Sequence, residues 1–437
     1  MKRLLARFLV FALAAALTLQ GAQAGGFGFR FAKAGGNATP SLSLDFTTGV
    51  ADSRLTISGG AGGTRVNSSG NIVSASAPRF DYDPITLAAK GLLVEEQRTN
   101  LFIQSGSIGT APWAAANATI TTGSKAAPDG TTSESLLVSG NTLAGGRATA
   151  ATVAFAAGTT YTASVWIEPA GRTSWTILIP SNPWADATAR IGTFTLTGSG
   201  SASATGTGAT AAIEAWPGGR YRCKLTFTPD TSASAGVQLR DPATGDGVNG
   251  VYVWGAQLEA GSFATSYIPT TTAQVTRTAD SEVMASISSW FNSNAGTIYA
   301  EYDLTGLYAS GTNQNVLALT NGGSSDRMFI YRSVSGNSTL GQVDAGSVNQ
   351  LSVGSAGALA INTIRKSSLA YAAADFAFSE NGLAPTTQSS GSLPTGLNAL
   401  NIGVNSAGTG AYLNGHIRRI RYYPTRLPNA QLQVLTQ

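Results

Sequence analysis

In the stretch TYTASVWIE, Tyr161, Ala163, Val165 and Ile167 occupy every second position, with Trp166 on the opposite parity. In YRCKLTF the same holds for Tyr221, Cys223, Leu225 and Phe227. A period of two sends successive side chains to opposite faces of an extended strand; a helix would bring apolar residues round every three to four positions. The pattern recurs in short runs along the chain (SLSLDF, RLTIS, GTIYAEYDLTG, RMFIYRS), separated by turns rich in Gly, Ser, Thr and Asn. Two-faced strands of this kind must bury one face against a second sheet, so the expected class is all-β, built of sandwiches. The 437 residues exceed one ordinary sandwich and suit two or three domains. Only 11% are charged, against about 25% in an average soluble domain, which leaves neutral hydroxyl side chains to keep the outer faces wet.

The chain divides around residues 251–272, VYVWGAQLEAGSFATSYIPTTT. This stretch opens as a strand, with Val251, Val253 and Gly255 on one face and Tyr252, Trp254 and Ala256 on the other. It closes as an extended leash through Tyr267-Ile268-Pro269, and so reads as the last strand of one sandwich and the hinge to the next. Residues 1–24 combine Lys2, Arg3 and Arg7, an apolar run and Ala22-Gln23-Ala24, the three parts of a secretory signal peptide or of a hydrophobic anchor. A Gly/Ala-rich linker follows at 25–40. We then expect a small β module at 41–100, one jelly-roll sandwich at 101–270, a linker at 271–294 and a second jelly roll at 295–437.

Local expectations follow from turn and strand chemistry. Residues 66–73 read as a hairpin turning at Ser69-Gly70. Asp81, Asp83, Glu95 and Glu96 lie close to Arg79 and Arg98, which points to ion pairs and turn caps. The Gly/Ser/Thr/Ala run at 198–208 reads as an exposed mobile tip, and residues 280–291 as a short helix or an extended lead-in. In HIRRIRYYP, Ile417 and Ile420 share a face only across a one-residue shift, which predicts a bulge near Arg418-Arg419. Asn429 is expected to cap a short final helix, with Leu432 and Leu435 turned inward.

The chemistry is bounded largely by what is scarce. One cysteine, Cys223, excludes an internal disulfide framework and is expected to face a core. One histidine, His416, excludes any scheme with two imidazoles, and its Asn-Gly-His setting reads as a turn. Lys2, Arg3 and Arg7 account for three of the positive charges behind a net charge of +4, so no nucleic-acid surface is implied. Residues 240–247 offer Asp241 and Asp246 to calcium, but the EF-hand spacing is not met and a plain loop is expected; no cofactor is called for. Glu301 and Asp303 alternate on a strand as in Glu-x-Asp-x-Glu glycoside hydrolases, yet Thr305 stands where the second of the paired carboxylates is needed, so an outer polar face is expected. A sugar site needs flat aromatics flanked by amides, carboxylates and guanidinia. The best stretch for it is SWTILIPSNPWADATAR, with Trp184 and Trp175 beside Asn182, Asp186 and Arg190, and Trp113 is a further candidate. Trp216, Trp254 and Trp290 read as packing residues.

Four phrases carry a resemblance: Leu44-Asp45-Phe46-Thr47-Thr48-Gly49, FDYDPITLAAKGLLVEEQRTNL, VYVWGAQLEAGSFATSYIPTT and LNGHIRRIRYYPTRLPNAQLQVLT. Together and in this order they resemble bacteriophage head-spike and tail-fibre proteins, over almost everything from about residue 42 to the end. The resemblance implies a carbohydrate-binding-module-like sandwich followed by a concanavalin A-like or laminin-G-like jelly roll. It also implies a non-enzymatic virion-surface protein that binds cell-surface polysaccharide, contacts other virion proteins and forms a homo-oligomer, a trimer as in many fibres. The export-type N-terminus favours a rival reading, a secreted bacterial adhesin, and a polysaccharide depolymerase is a third.

Overall fold

Alternating runs joined by tight turns pair antiparallel, and sheets with one apolar face stack in twos. The structure is a computed structural model that describes residues 38–308, 311–354 and 359–437. The signal-peptide expectation at 1–24 and nearly all of the 25–40 linker lie outside the described residues. Within them the chain is all-β, with two face-to-face sandwiches and a short C-terminal helix, as the alternation requires.

The first sandwich has one six-stranded sheet ordered Thr210–Trp216, Arg220–Phe227, Tyr161–Ala170, Gly250–Ala260, Glu134–Ser139, Ala118–Lys125. The facing sheet is ordered Ser201–Thr205, Arg190–Thr195, Ser174–Ile179, Gln238–Arg240, Arg147–Thr149, Ala114–Ala116. Tyr161, Ala163, Val165 and Ile167, with Tyr221, Cys223, Leu225 and Phe227, meet Trp175, Ile177, Ile179 and Phe194 in one core. Cys223 is buried there, as its parity predicts. Residues 198–208 are not a loose tip: they supply Ser201–Thr205, which pairs with Arg190–Thr195 as an exposed edge strand.

The second sandwich is assembled from both ends of the chain. Its larger sheet is ordered Thr386–Gln388, Asp375–Glu380, Arg365–Ala372, Ala295–Leu304, Gly415–Tyr423, Ala89–Val94, Phe80–Tyr82, and Leu42–Asp45 also pairs with Gly415–Tyr423. The opposing sheet is ordered Thr56–Ser58, Ser281–Met284, Ala399–Ile402, Gln314–Thr320, Arg327–Ser333, Ser338–Ala345, Val348–Gly354. Leu42, Leu44, Leu92 and Val94 share a core with Ile298, Tyr302, Leu317, Ile330 and Ile420. Two expected boundaries are thereby corrected. Residues 41–100 are not a module of their own, and 271–294 is not a linker, because both provide strands to the second sandwich. The first sandwich is an insertion in the second, and residues Thr39–Gln437 form one compact unit. The physical reason is that short strands such as Leu42–Asp45 and Ser281–Met284 bury their apolar face only by joining a larger sheet.

Two bulges set the phase of the long strands. Glu301 lies opposite Arg419 and Tyr302 opposite Ile417, so Arg418 is the extra residue, where the sequence placed it. The first half of that strand pairs with Ala89–Val94 and the second half with Leu42–Asp45. The second bulge was not foreseen. Ser164 pairs with Gln257 and Trp166 with Trp254, which puts one surplus residue into Gly250–Ala260 at Gly255, where φ is +66°. Past it the parity inverts, so Ala256 and Leu258 join Val251 and Val253 in the core. The C-terminal helix Asn429–Leu435 begins after Pro428 with no side-chain cap, so Asn429 is its first residue and not its cap; Leu432 is buried and Leu435 half-buried.

A buried ion cluster holds the crossing points together. Arg79 pairs with Asp280 and with Glu95, the latter at 2.8 Å, and Arg277 reaches the same Glu95 oxygen at 2.9 Å. Ser266 of the leash donates to both oxygens of Glu95, through its hydroxyl at 2.6 Å and its N–H at 2.8 Å. Glu96 pairs with Arg98, and Asp83 caps a turn through the N–H groups of Ile85 and Thr86, so both roles expected of this acidic stretch occur. Nearby Glu282 is fully buried with neither carboxyl oxygen hydrogen-bonded. Burial, then the Asp280 charge, pushes its carboxyl well above the ordinary 4.5.

Two predictions follow from these positions. A Cβ at Gly255 would sit 2.7 Å from the Trp166 ring. Gly255→Ala is therefore expected to cost roughly 2 kcal/mol, read as a lower urea midpoint with unchanged slope; an unchanged midpoint removes the bulge argument. Folding takes up a proton at Glu282, so its penalty grows as pH rises above 4.5 toward the folded value. Glu282→Gln should stabilise the protein at neutral pH, with a margin over wild type that widens by at most about 1.4 kcal/mol per pH unit. A margin that narrows with pH contradicts this.

Candidate functional site

The sugar platform expected from the sequence is not at the surface. Trp184 is 3% exposed, donates to the Thr228 carbonyl at 3.3 Å and packs on Phe227. Trp175 is fully buried on the parity of Ile177 and Ile179, and Trp113 is buried against Phe102. Arg190 lies buried over the Trp184 ring at 4.4 Å and bonds Asp186, while Asn182 donates to the Ser234 carbonyl at 2.6 Å. Trp184, Arg190, Asp186 and Asn182 do come together at one end of the first sandwich but offer no ring face to a ligand, whereas Trp175, opposite Phe194, lies toward the other end of its strand. The Pro183-Trp184 loop looks polar in sequence, yet it folds the indole under the sheet edge because the core there has room for an aromatic.

The open concavity lies elsewhere, on the outer face of the sheet that carries Trp166. Glu214, Arg222, Trp166 and Trp254 stand opposite one another on four neighbouring strands and form a transverse row. Arg222 lies over the Trp166 ring at 4.5 Å, and Trp216 meets that ring edge-on at 5.3 Å. The leash and the hairpin of Gly63–Val66 and Ile72–Ala75 cover the Trp254 end, where Tyr267, Ile72 and Trp166 close a small core of their own. The Trp216 end stays open. Between it and residues 81–85 and 90 there is a cleft of about 310 Å³, at the small end of ligand-sized pockets. Trp216, half-buried, lines it with Tyr82, Lys90, Glu214, Lys224 and His416.

His416 is not the turn residue expected. It is a fully buried residue of Gly415–Tyr423, placed opposite Asp303 by the register ahead of the Arg418 bulge. Its Nδ1 lies 2.7 Å from Asp303 and its Nε2 3.0 Å from Asp81. Two carboxylate acceptors require both ring nitrogens to donate, so the ring is an imidazolium. Burial opposes that charge, but Asp303 and then the two hydrogen bonds outweigh it and hold the ring above 6.5. Asp303 is held low in turn, its burial outweighed by His416. Asp81 spends its other oxygen on the Val66 N–H at 2.6 Å. Glu301 and Asp303 do lie on the outer face of their sheet, on the parity opposite the core residues Ile298, Ala300, Tyr302 and Leu304, but they are buried there and not exposed, with Glu301 clamped by Arg418 at 3.1 Å and Arg419 at 3.0 Å.

Lys224 and Glu214 form an ion pair across the cleft wall. Burial pulls the Lys224 ammonium below its ordinary range; the same burial raises Glu214, but Lys224 and Arg222 more than offset it and keep the carboxyl low. The loop of Asp241 and Asp246 is a plain one: Asp241 accepts from the Ala243 N–H and Asp246 from those of Val248 and Asn249. No cluster of three metal-ligating groups occurs among the described residues. Trp254 and Trp290 are packed as expected, whereas Trp216 borders the cleft. Its signal was present in sequence: Trp216 shares parity with Glu214 in a strand whose other parity includes Ile213.

No family model and no curated protein matches the chain. Among solved structures it is similar to the CBM40 of the Ruminococcus gnavus IT-sialidase bound to α2,3 sialyllactose, at 18% identity and a TM-score of 0.29, covering 33% of this chain and 84% of that one. It is also similar to the NanB sialidase from Streptococcus pneumoniae, at 10% identity and 0.28, over 34% of this chain and 25% of that one. The LG1-3 region of the laminin α2 chain matches at 11% identity and 0.25, over 64% and 65%. Scores this low carry no conclusion for this chain.

The His416 arrangement makes stability depend on pH. The folded value lies above 6.5, so its contribution is fully present below about pH 6.5 and is lost as pH rises through the folded value. Urea unfolding from pH 6 to 9 should show wild-type stability falling more steeply than that of His416→Asn. Parallel slopes would show that the imidazolium is not what binds Asp81 to Asp303.

Proposed function

We propose that the chain binds saccharide in the cleft beside Trp216, as a non-enzymatic attachment protein that recognises cell-surface polysaccharide from a virion surface. The observation that carries the binding reading is Trp216: a half-buried indole, fixed edge-on by Trp166, at the rim of a cleft whose mixed walls also present charged and hydroxyl side chains. An aromatic body beside convergent charged and hydroxyl groups suits a pyranose, which has apolar C–H faces and polar edges. The non-enzymatic reading is favoured by how the carboxylates are used. Glu301 is held by two arginines, and Asp81 and Asp303 by one imidazolium, so none of these three carboxylates is free to serve as acid or nucleophile. The virion setting, with other virion proteins and a second and third copy as partners, rests on the four head-spike-like phrases. Several copies on one particle would turn weak single sites into firm attachment. The basic, apolar and small-residue order of residues 1–24 favours the second reading, a secreted adhesin using the same cleft.

Glycan-array screening followed by calorimetry on the best hit tests the cleft. Trp216→Ala should weaken binding by about tenfold or more, equivalent to about 1.4 kcal/mol, while the far-UV spectrum stays that of wild type. Equal affinity in wild type and variant would refute the site.

A further inference from the structure

Ion pairing inside the cleft is lopsided. Among its lining residues Glu214 is paired with Lys224, Asp81 with His416, and Glu95 with Arg79 and Arg277 from behind. Asp83 is the lining carboxylate that no cation among the described residues approaches within ion-pair range, and one of its oxygens is already engaged by the Ile85 and Thr86 N–H groups. Three lining cations lack a carboxylate partner among the described residues: Arg65, Arg222 and Lys90. Arg65 donates to the Phe80 carbonyl at 3.2 Å. Arg222 donates to Ser164 and the Thr265 carbonyl, stacks on Trp166, and keeps an Nε–H without an acceptor. Lys90 has no side-chain hydrogen bond among the described residues, although it is half-buried.

The position of Lys90 has a structural cause. Asp81 pairs with Gly91 and Tyr82 with Ala89, which makes Lys90 the surplus residue of a bulge in Ala89–Val94. A bulge leaves its extra residue out of the ladder and re-aims its side chain. Gly91 lets the strand press against its neighbour at this point: φ is +104°, and a Cβ there would meet the Ile417 carbonyl oxygen at 2.3 Å. The ammonium so placed acts electrostatically on Asp83, Glu214, Lys224, Asp303 and His416, from both walls of the cleft. A half-buried cation with unused donors, in a cleft that also holds two other unpaired cations, is complemented best by an anionic oxygen group.

Resting on the reading of this cleft as a saccharide site, we propose that it selects acidic saccharides, with the Lys90 ammonium donating to their carboxylate or sulfate group. The test is biolayer interferometry on the full chain with polygalacturonate, alginate, hyaluronan and polysialic acid, each native and carboxyl-reduced, and with dextran sulfate beside dextran. Wild type should bind at least one acidic polymer about tenfold or more tighter than its neutral counterpart, the scale of one charge-assisted hydrogen bond. Lys90→Gln should bring that ratio close to one, and Lys90→Arg should restore most of it; unchanged thermal melting of both excludes a folding defect. Equal binding of acidic and neutral forms by wild type, or a preference that survives Lys90→Gln, overturns the anion selectivity and leaves the saccharide reading standing. Binding to none of these polymers, with no hit on the glycan array, overturns both.

Discussion

Arg79, Glu95, Arg277 and Asp280 form the interaction on which the rest of the molecule depends. All four are buried, and each comes from a segment that has no complete core of its own. Arg79 and Glu95 flank the N-terminal strands Phe80–Tyr82 and Ala89–Val94, Arg277 and Asp280 belong to the chain returning from the first sandwich, and Ser266 of the leash binds the same carboxylate. Charges removed from water are tolerated only where pairing is complete, and losing one partner of such a pair costs about 3–5 kcal/mol. The cluster therefore specifies one way for the inserted sandwich to leave and re-enter the other. Any other crossing would strand an ion in a dry interior.

With the crossing fixed, bulges decide what faces the cleft. Gly255 inverts the phase of the central strand, so that Trp254 lies outside while Ala256 and Leu258 return to the core. Arg418 lets one strand serve two partners in succession, and ahead of it His416 is brought opposite Asp303. Lys90, third of the kind, is turned out of its ladder toward the cleft. A strand without such defects would keep its polar and apolar parities from end to end. The cleft is accordingly a product of register, and it sits where bulged strands of both sandwiches meet.

Much of the fold was legible because period-two alternation is a local property. The inward sets at 161–167 and 221–227, the burial of Cys223, the hairpin at 66–73 and the Arg418 bulge all follow from neighbouring residues alone. The boundaries at 41–100 and 271–294 did not, since nothing in SLSLDF says that its partner strand lies more than 370 residues away. The exposure of the tryptophans was hidden for a related reason. Trp184 has a polar neighbourhood in sequence and a core around it in space, while Trp216 has ordinary strand neighbours and a cleft beside it.

By itself, then, the sequence determined the class of the protein, the faces of most strands and the absence of a cysteine framework, because these depend on residue spacing and composition. Tertiary structure decided which segments share a sheet, which tryptophan is left at a rim, and that a single histidine is held between Asp81 and Asp303. Those outcomes depend on pairings of high sequence separation, 335 residues in the case of His416 and Asp81. They are selected by burying specific aromatic surface and by pairing the charged groups whose loss of water must be offset, and no local pattern records which groups those will be.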